Sequence, residues 1–220
     1  MRIKGGLGNQ LFGYAAARRL ALVNEAELVL DQVSGFQLDR FGREFALHHF
    51  AIPCRTASSQ ERLEPCGRVR RGVRKRLSRF LPVGLSGYIE ESGKGFCQEL
   101  LTLSLDRRET YIEGYWQDER YFYDISDVLR DELQITRAEK YLDTDWSSLV
   151  LGDTAVAVHV RWYAPPPGNP REQDALRKYY GRAIEEMDRR LGKPHYFVFS
   201  DIPEAAIAVV PVLGNRITFV

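Results

Sequence analysis

The sequence is short of cysteine: Cys54, Cys66 and Cys97 are three in 220 residues, without the Cys-x-x-Cys or Cys/His spacing of a zinc site. They read as reduced thiols in a reducing compartment, which sets aside a small disulfide-built secreted scaffold. An excess of one charge is missing too. With 31 basic against 30 acidic residues the formal charge is +1, so no global field draws the chain to nucleic acid and any polyanion site has to be local. Long apolar runs are absent. No stretch approaches the roughly 18 apolar residues of a membrane span, and Met1-Arg2-Ile3-Lys4-Gly5-Gly6 lacks the apolar centre of a signal peptide. These absences point to a cytoplasmic protein.

Present is enough apolar material, 44% of the residues with aromatics spread throughout, to bury a sizeable core. Met1 to Lys4 predicts a short strand leading into Gly5-Gly6-Leu7-Gly8. From Asn9 a helical period runs through Leu11, Phe12, Ala15, Ala16, Leu20 and Val23, and Glu27 to Leu30 predicts a second strand closing on Asp31. This β-loop-α-β opening is the usual start of an α/β layered domain. Residues 32–65 are irregular. Val69, Val73, Leu77 and Phe80 then recur at helical spacing among Arg68, Arg70, Arg71, Arg74, Lys75, Arg76 and Arg79, predicting an amphipathic helix with a basic outer face. A strand at Thr110–Gly114 and a helix through Ile125, Val128, Leu129 and Leu133 follow. A polar stretch, 141–153, is the expected linker. After it, strands at 155–160, 195–200 and 217–220 alternate with helices at 175–191 and 203–210, which implies a parallel sheet. The chain stops on that last strand, an expected sign of missing sequence.

Three places carry chemistry. Gly6-Leu7-Gly8-Asn9-Gln10 sits where a strand becomes a helix, so glycine lets backbone approach a phosphate and the helix start offers free N–H groups. Leu11 stands where the dinucleotide pattern wants a third glycine, while Asp31 is placed like that pattern's ribose acid. A plain tight turn capped by Asn9 remains an equal reading. His159-Val160-Arg161 closes a buried strand, where open α/β sheets bind ligands. Arg161 offers a planar fork suited to a diphosphate, and His159 is either a further donor or a satisfied structural histidine. Ser200-Asp201 ends the neighbouring strand and either reads a nucleoside or caps the helix at Pro203.

Gly5-Gly6-Leu7-Gly8-Asn9-Gln10-Leu11-Phe12, Tyr111-Ile112-Glu113-Gly114-Tyr115-Trp116-Gln117-Asp118-Glu119-Arg120-Tyr121-Phe122, His159-Val160-Arg161 and Phe197-Val198-Phe199-Ser200-Asp201, in that order, resemble the landmarks of bacterial α-1,2-fucosyltransferases, glycosyltransferase family 11. The resemblance implies an α/β, GT-B-like fold of two Rossmann-like domains: an acceptor side at 1–140, the linker 141–153, and a C-terminally incomplete donor side at 154–220. It implies GDP-fucose held between the two, a galactoside-containing glycan as acceptor, and no metal or cofactor. The implied reaction inverts the fucose anomeric carbon and transfers it to a 2-hydroxyl in surface polysaccharide synthesis. Arg161 and His159 would act on the diphosphate as catalytic groups, while Gly6, Gly8, Asn9, Gln10, Ser200 and Asp201 would contact substrate. After Arg161 the chain departs from the family's His-x-Arg-Arg-Gly-Asp, reading Trp162-Tyr163-Ala164 and then Pro165-Pro166-Pro167. A catalytically silent homologue that acts as a binding or assembly subunit is the alternative, and a nicotinamide enzyme using the glycine loop and Asp31 is a third reading.

Other signals are set aside. Asp143-Thr144-Asp145 has the DxD form of metal-dependent glycosyltransferases but follows no buried strand, so it reads as a solvated turn. Gly87 to Lys94 evokes a P-loop, yet the spacing is one too long and Gly95 stands where Ser or Thr belongs. The basic segment 68–79 reads first as a solvated face and second as a patch that holds the protein at the inner membrane through anionic lipid. Nucleic acid is excluded as partner because no stacking aromatics accompany the charge.

Overall fold

In a computed structural model the structure describes residues 1–91, 93, 95–105, 109–136, 150, 154–161 and 169–220. The chain divides into two compact units, Met1–Arg137 and Ala138–Val220. Apart from Val150, the expected linker 141–153 lies outside the described residues, as do Asp143-Thr144-Asp145, Lys94 and residues 162–168 that follow the His-Val-Arg landmark.

The first unit is built on parallel pairing. Strand β1 (Val29–Leu30) pairs with β2 (Arg55–Thr56), and β3 (Tyr88–Glu90) with β4 (Tyr111–Glu113), both parallel. Arg2 bridges Asp31 on one side and Glu113 on the other, also in parallel. The amino-terminal segment is held there by Arg2 N–H to the Ile112 carbonyl (2.9 Å), Ile3 N–H to that of Asp31 (3.0 Å) and Asp31 N–H to that of Met1 (2.8 Å). The order across the layer is therefore β2, β1, residues 1–3, β4, β3, and the loops after Ile3, Leu30 and Glu113 all leave at one edge. Helix α1 (Leu7–Val23) covers this layer with Tyr14, Ala15, Ala16, Ala17, Leu20 and Ala21, which join Ile3, Leu30, Ile89 and Ile112 in one core. Small alanines let the helix lie close to the strands, and each large side chain fully buried contributes about 2 kcal/mol. Arg18 and Tyr14 both donate to Glu132 on α4 (Ser126–Glu132), which ties the far end of α1 down.

Helix α2 (Gly67–Ser78) forms where the apolar spacing predicts, and Arg68, Arg70, Arg74, Arg76 and Arg79 are exposed as expected, but the apolar row faces outward beside them. Arg71 is the buried residue of the helix, while Val69, Val73, Leu77 and Phe80 are exposed. The reason lies on the inner side: Arg71 reaches the Arg62 carbonyl (3.3 Å) and Lys75 pairs with Glu90 on β3, so polar partners hold the face that period alone would assign to solvent. A short helix α3 (Val83–Ser86) follows, and Gly87 at φ 62° turns the chain into β3. A strand rather than a helix follows that glycine, so the segment has no P-loop geometry.

The second unit is a three-stranded parallel sheet in the order β5-β6-β7, from β5 (Ala155–Val160), β6 (His195–Ser200) and β7 (Ile217–Phe219). Helices α5 (Pro170–Leu191) and α6 (Pro203–Val209) connect them. Val160, Tyr196 and Val198 point to one face, where Tyr180 and Ile184 of α5 and Ala205, Ala206 and Val209 of α6 close the core. Helix α5 begins five residues before its apolar period because Asn169 caps it, accepting from the Arg171 N–H at 3.0 Å, with Pro170 in the first turn. Gly192, at φ 70°, ends it in the left-handed conformation glycine favours. No helix among the described residues is long and apolar enough to cross a membrane.

Candidate functional site

Each unit presents the carboxyl ends of parallel strands, the edge where α/β sheets take ligands, and the two edges differ in how their polar groups are engaged.

In the first unit the glycine loop lies where the sequence predicts. Gly5, at φ 80°, makes the turn out of the amino-terminal segment, and a Cβ there would stand 2.7 Å from the Asn9 amide nitrogen and 3.0 Å from the Tyr115 ring. Gly6 is the residue before α1, with no side-chain cap and no acidic residue in the first turn, so the helix start keeps its positive end open. Gly8 is exposed and Asn9 half-buried; the Asn9 Oδ1 accepts from Gln117 Nε2 at 2.6 Å, so Asn9 joins the loop to the Tyr111–Phe122 landmark rather than capping the turn. Gln10 calls for a correction. It is 1% exposed, its Nε2 donates to the carbonyls of Gly5 (3.0 Å) and Glu44 (2.8 Å), and its Oε1 accepts from the Ala46 N–H (2.9 Å). With both amide hydrogens donated, the oxygen accepting from backbone and the side chain buried, Gln10 holds the loop from behind instead of meeting substrate.

Asp31 is likewise committed. It is 2% exposed and accepts from the N–H groups of Val33 and Ser34, from the Ser34 hydroxyl and from Tyr111 at 2.8 Å. Burial pushes its carboxyl up, but the bonds from Ser34, Tyr111 and Val33 outweigh that and hold it below the ordinary aspartate range. No oxygen is left for a ribose, which removes the basis of the nicotinamide reading. Glu113 takes Arg2, Lys4 (3.4 Å) and the Tyr88 hydroxyl. Burial raises its pKa, while Tyr88, Arg2 and Lys4 together bring it below the usual glutamate value. Beside these groups lies a cleft of about 480 Å³ lined by Lys4, Gly5, Tyr88, Glu113 and Tyr115 among others. Lys4 Nζ stands 4.9 Å from the centre of the Tyr115 ring. Arg2, Arg68, Arg71 and Lys75 also line it, against the carboxylates of Asp39 and Glu113, so the cleft is net basic with two tyrosine rings in its wall.

The second landmark explains itself in this setting. Glu91 accepts from the N–H groups of Tyr115 (2.7 Å) and Trp116 (3.0 Å), turning the chain sharply after β4. A Cβ on Gly114 would come within 2.5 Å of the Glu91 Cβ and 2.7 Å of Trp116 Nε1, so only glycine fits. Trp116 and Tyr121 are buried, and Asp118 accepts from the Arg120 N–H at 3.0 Å to start the next turn. The role of Glu91 was missed, since nothing in its local spacing marks a carboxylate that serves a turn 24 residues away.

In the second unit the register sets Val160 opposite Ser200, so Arg161 and Asp201 follow as the next residues of adjacent strands at one edge. Arg161 is exposed. Asp201 is exposed and has no hydrogen bond or ion pair among the described residues. Ser200 is half-committed: its hydroxyl donates to the Val160 carbonyl (2.8 Å) and accepts from the Ile202 N–H (3.1 Å), which stitches β5 to the turn before α6. His159 lies on β5 one place before the edge, exposed on the sheet face opposite the α5 and α6 core, while its backbone carbonyl accepts from Tyr180. Arg161, Ser200 and Asp201 are thus brought to one rim; Gly6, Gly8 and Asn9 form a separate loop in the first unit.

Two parallel α/β units with ligand-facing strand ends define the class of the molecule. The fold is similar to that of NodZ α-1,6-fucosyltransferase, whose crystal was soaked with GDP-fucose: 13% identity, all of this chain and 75% of that one covered, TM-score 0.52. A mutant of Arabidopsis thaliana FUT1 in complex with GDP matches at 12% identity and TM-score 0.46, covering 90% of this chain and 52% of that one. No curated protein sequence matches the chain. Residues 97–204, which contain the second, third and fourth landmarks, match the model of glycosyl transferase family 11, so the resemblance drawn from those landmarks holds across that segment.

Proposed function

We propose that the protein transfers fucose from GDP-fucose to the 2-hydroxyl of a galactose-type acceptor, with inversion and without a metal or other cofactor, in surface polysaccharide synthesis. The observation that supports this best is the exposed rim at the ends of β5 and β6, where Arg161 and Asp201 stand side by side inside the family 11 segment. Residues 154–220 then form the donor side and residues 1–140 the acceptor side of a GT-B-like arrangement. The choice of GDP-fucose as donor draws support from NodZ, whose crystal was soaked with it.

In the reaction the acceptor hydroxyl oxygen attacks the fucose anomeric carbon, the bond from that carbon to the β-phosphate oxygen breaks, GDP leaves with the bonding pair, and the hydroxyl proton passes to solvent water. Arg161 opposes the negative charge that grows on the β-phosphate, a stabilisation worth about 10²–10³ in rate for a single well-placed donor. His159 supports the same diphosphate, Asp201 accepts from the nucleoside, and Ser200 holds the rim in register. The loop of Gly6, Gly8 and Asn9 faces substrate from the acceptor side, with the galactoside in the cleft beside Tyr115. Asp31 and Glu113 are both tied to donors, so neither is assigned the proton of the attacking hydroxyl.

Incubation with GDP-fucose and a panel of β-galactosides tests the reading: fucosylated product and released GDP are expected. A second reading, a silent homologue that binds without turnover, is favoured by Trp162-Tyr163-Ala164 in the place of the family's Arg-Gly-Asp. GDP binding with no transfer to any acceptor would select it.

A further inference from the structure

The outward face of α2 is the least explained surface of the first unit. Val69, Val73 and Leu77 recur every fourth residue and Phe80 continues the row past the last turn, so the four share one face. They are 66%, 52%, 58% and 86% exposed. Single exposed apolar residues are ordinary, but a contiguous row of four is not. The row is flanked on one side by Arg70 and Arg74 and on the other by Arg76 and Arg79, all exposed, and α2 carries no acidic residue. Polar contacts hold the opposite face, Arg71 at the Arg62 carbonyl and Lys75 at Glu90, so the helix does not turn its apolar row inward.

Charge decides the occupant. A second copy of the chain would bring the same arginines against these, with no carboxylate on either helix to meet them. An anionic bilayer supplies both missing halves, phosphates at the level of the guanidinium groups and acyl chains beneath them. We propose that this face of α2 is a membrane-docking surface: the helix lies in the plane of an anionic bilayer, with Val69, Val73, Leu77 and Phe80 entering the headgroup boundary and the flanking arginines on lipid phosphate. The charge of residues 68–79 alone indicates attraction to a surface; the outward apolar row makes it insertion. The inference rests on no part of the transferase reading.

Sedimentation of the full chain with vesicles tests it. Vesicles of equal parts phosphatidylglycerol and phosphatidylcholine are expected to bind the protein, and phosphatidylcholine alone to bind it weakly. Arg74→Gln and Arg76→Gln should each weaken partitioning by about fivefold, and Leu77→Ser and Phe80→Ser by about tenfold each. Because these side chains are exposed, circular dichroism should show the fold unchanged. In the Phe80→Trp protein, emission should shift to the blue on adding the anionic vesicles and be quenched by brominated acyl chains. Equal binding to both vesicle types, no loss on Leu77→Ser and Phe80→Ser, or a tryptophan that binds without shifting would overturn insertion. Absence of binding to any vesicle, with or without a dimer that Leu77→Ser dissociates, would overturn membrane docking altogether.

Discussion

The two strand-end rims of this molecule carry similar residue types and differ in how deeply those side chains are buried. In the first unit Asp31, Glu113 and Gln10 are surrounded by their own donors and acceptors: Ser34 and Tyr111 for the aspartate, Arg2, Lys4 and Tyr88 for the glutamate, three backbone groups for the glutamine. In the second, Asp201 is exposed, Arg161 is exposed, and Ser200 alone is drawn into the backbone. A rim whose carboxylates are held by their own donors keeps its shape when a ligand arrives. At the other rim Arg161 and Asp201 are exposed at the ends of adjacent strands, where a guanidinium can be reached from solvent.

If this contrast is right, the same chemical change should have different consequences on the two sides. The largest effect is expected at Asp31→Ala, which leaves the Ser34 and Tyr111 donors without their acceptor in a closed site: about 3 kcal/mol of stability lost, read by urea denaturation. Gln10→Ala, removing three hydrogen bonds of a neutral amide to backbone groups, should cost about 2 kcal/mol by the same measurement. Acid should act through the first rim as well. The folded-state pKa values of Asp31 and Glu113 lie below their ordinary values, so their contribution is fully present above the unfolded range of about 4 and is lost as pH falls through the lower folded values. The urea midpoint is therefore expected to hold steady at neutral pH and decline below about pH 4–5, with a shallower decline in Asp31→Asn. At the small end, Asp201→Ala should change stability by no more than about 0.5 kcal/mol, since the side chain is exposed and has no partner among the described residues. An Asp201 effect as large as that of Asp31 would erase the contrast.

Much of the second unit was legible in the sequence because alternation of strand and helix is local information: β5, β6, β7 and α6 fall where apolar periodicity predicts. The start of α5 needed Asn169 and Pro170 to be read as a cap, a signal present but overlooked when the apolar period alone was followed. In the first unit the glycine loop and β4 were legible, whereas β2 is two exposed polar residues, Arg55 and Thr56, with no apolar signal to mark a strand. Gln10 and Asp31 have the residue types of ligand contacts, and only the approach of Glu44, Ala46 and Tyr111 from distant sequence shows them to be occupied. The orientation of α2 was misjudged for a related reason. Period finds the two faces of a helix, but which one turns inward is decided by partners such as Glu90 and the Arg62 carbonyl, which the helix's own sequence does not contain.

The most direct measurement is the thermal unfolding of the protein with and without GDP, in the unaltered chain and in Arg161→Ala. A melting temperature that rises with millimolar GDP in the first and stays flat in the second, with the two apo proteins melting alike, is the expected result. A rise of the same size in Arg161→Ala, or none in either protein, would contradict the assignment of the nucleotide diphosphate to the rim of β5 and β6.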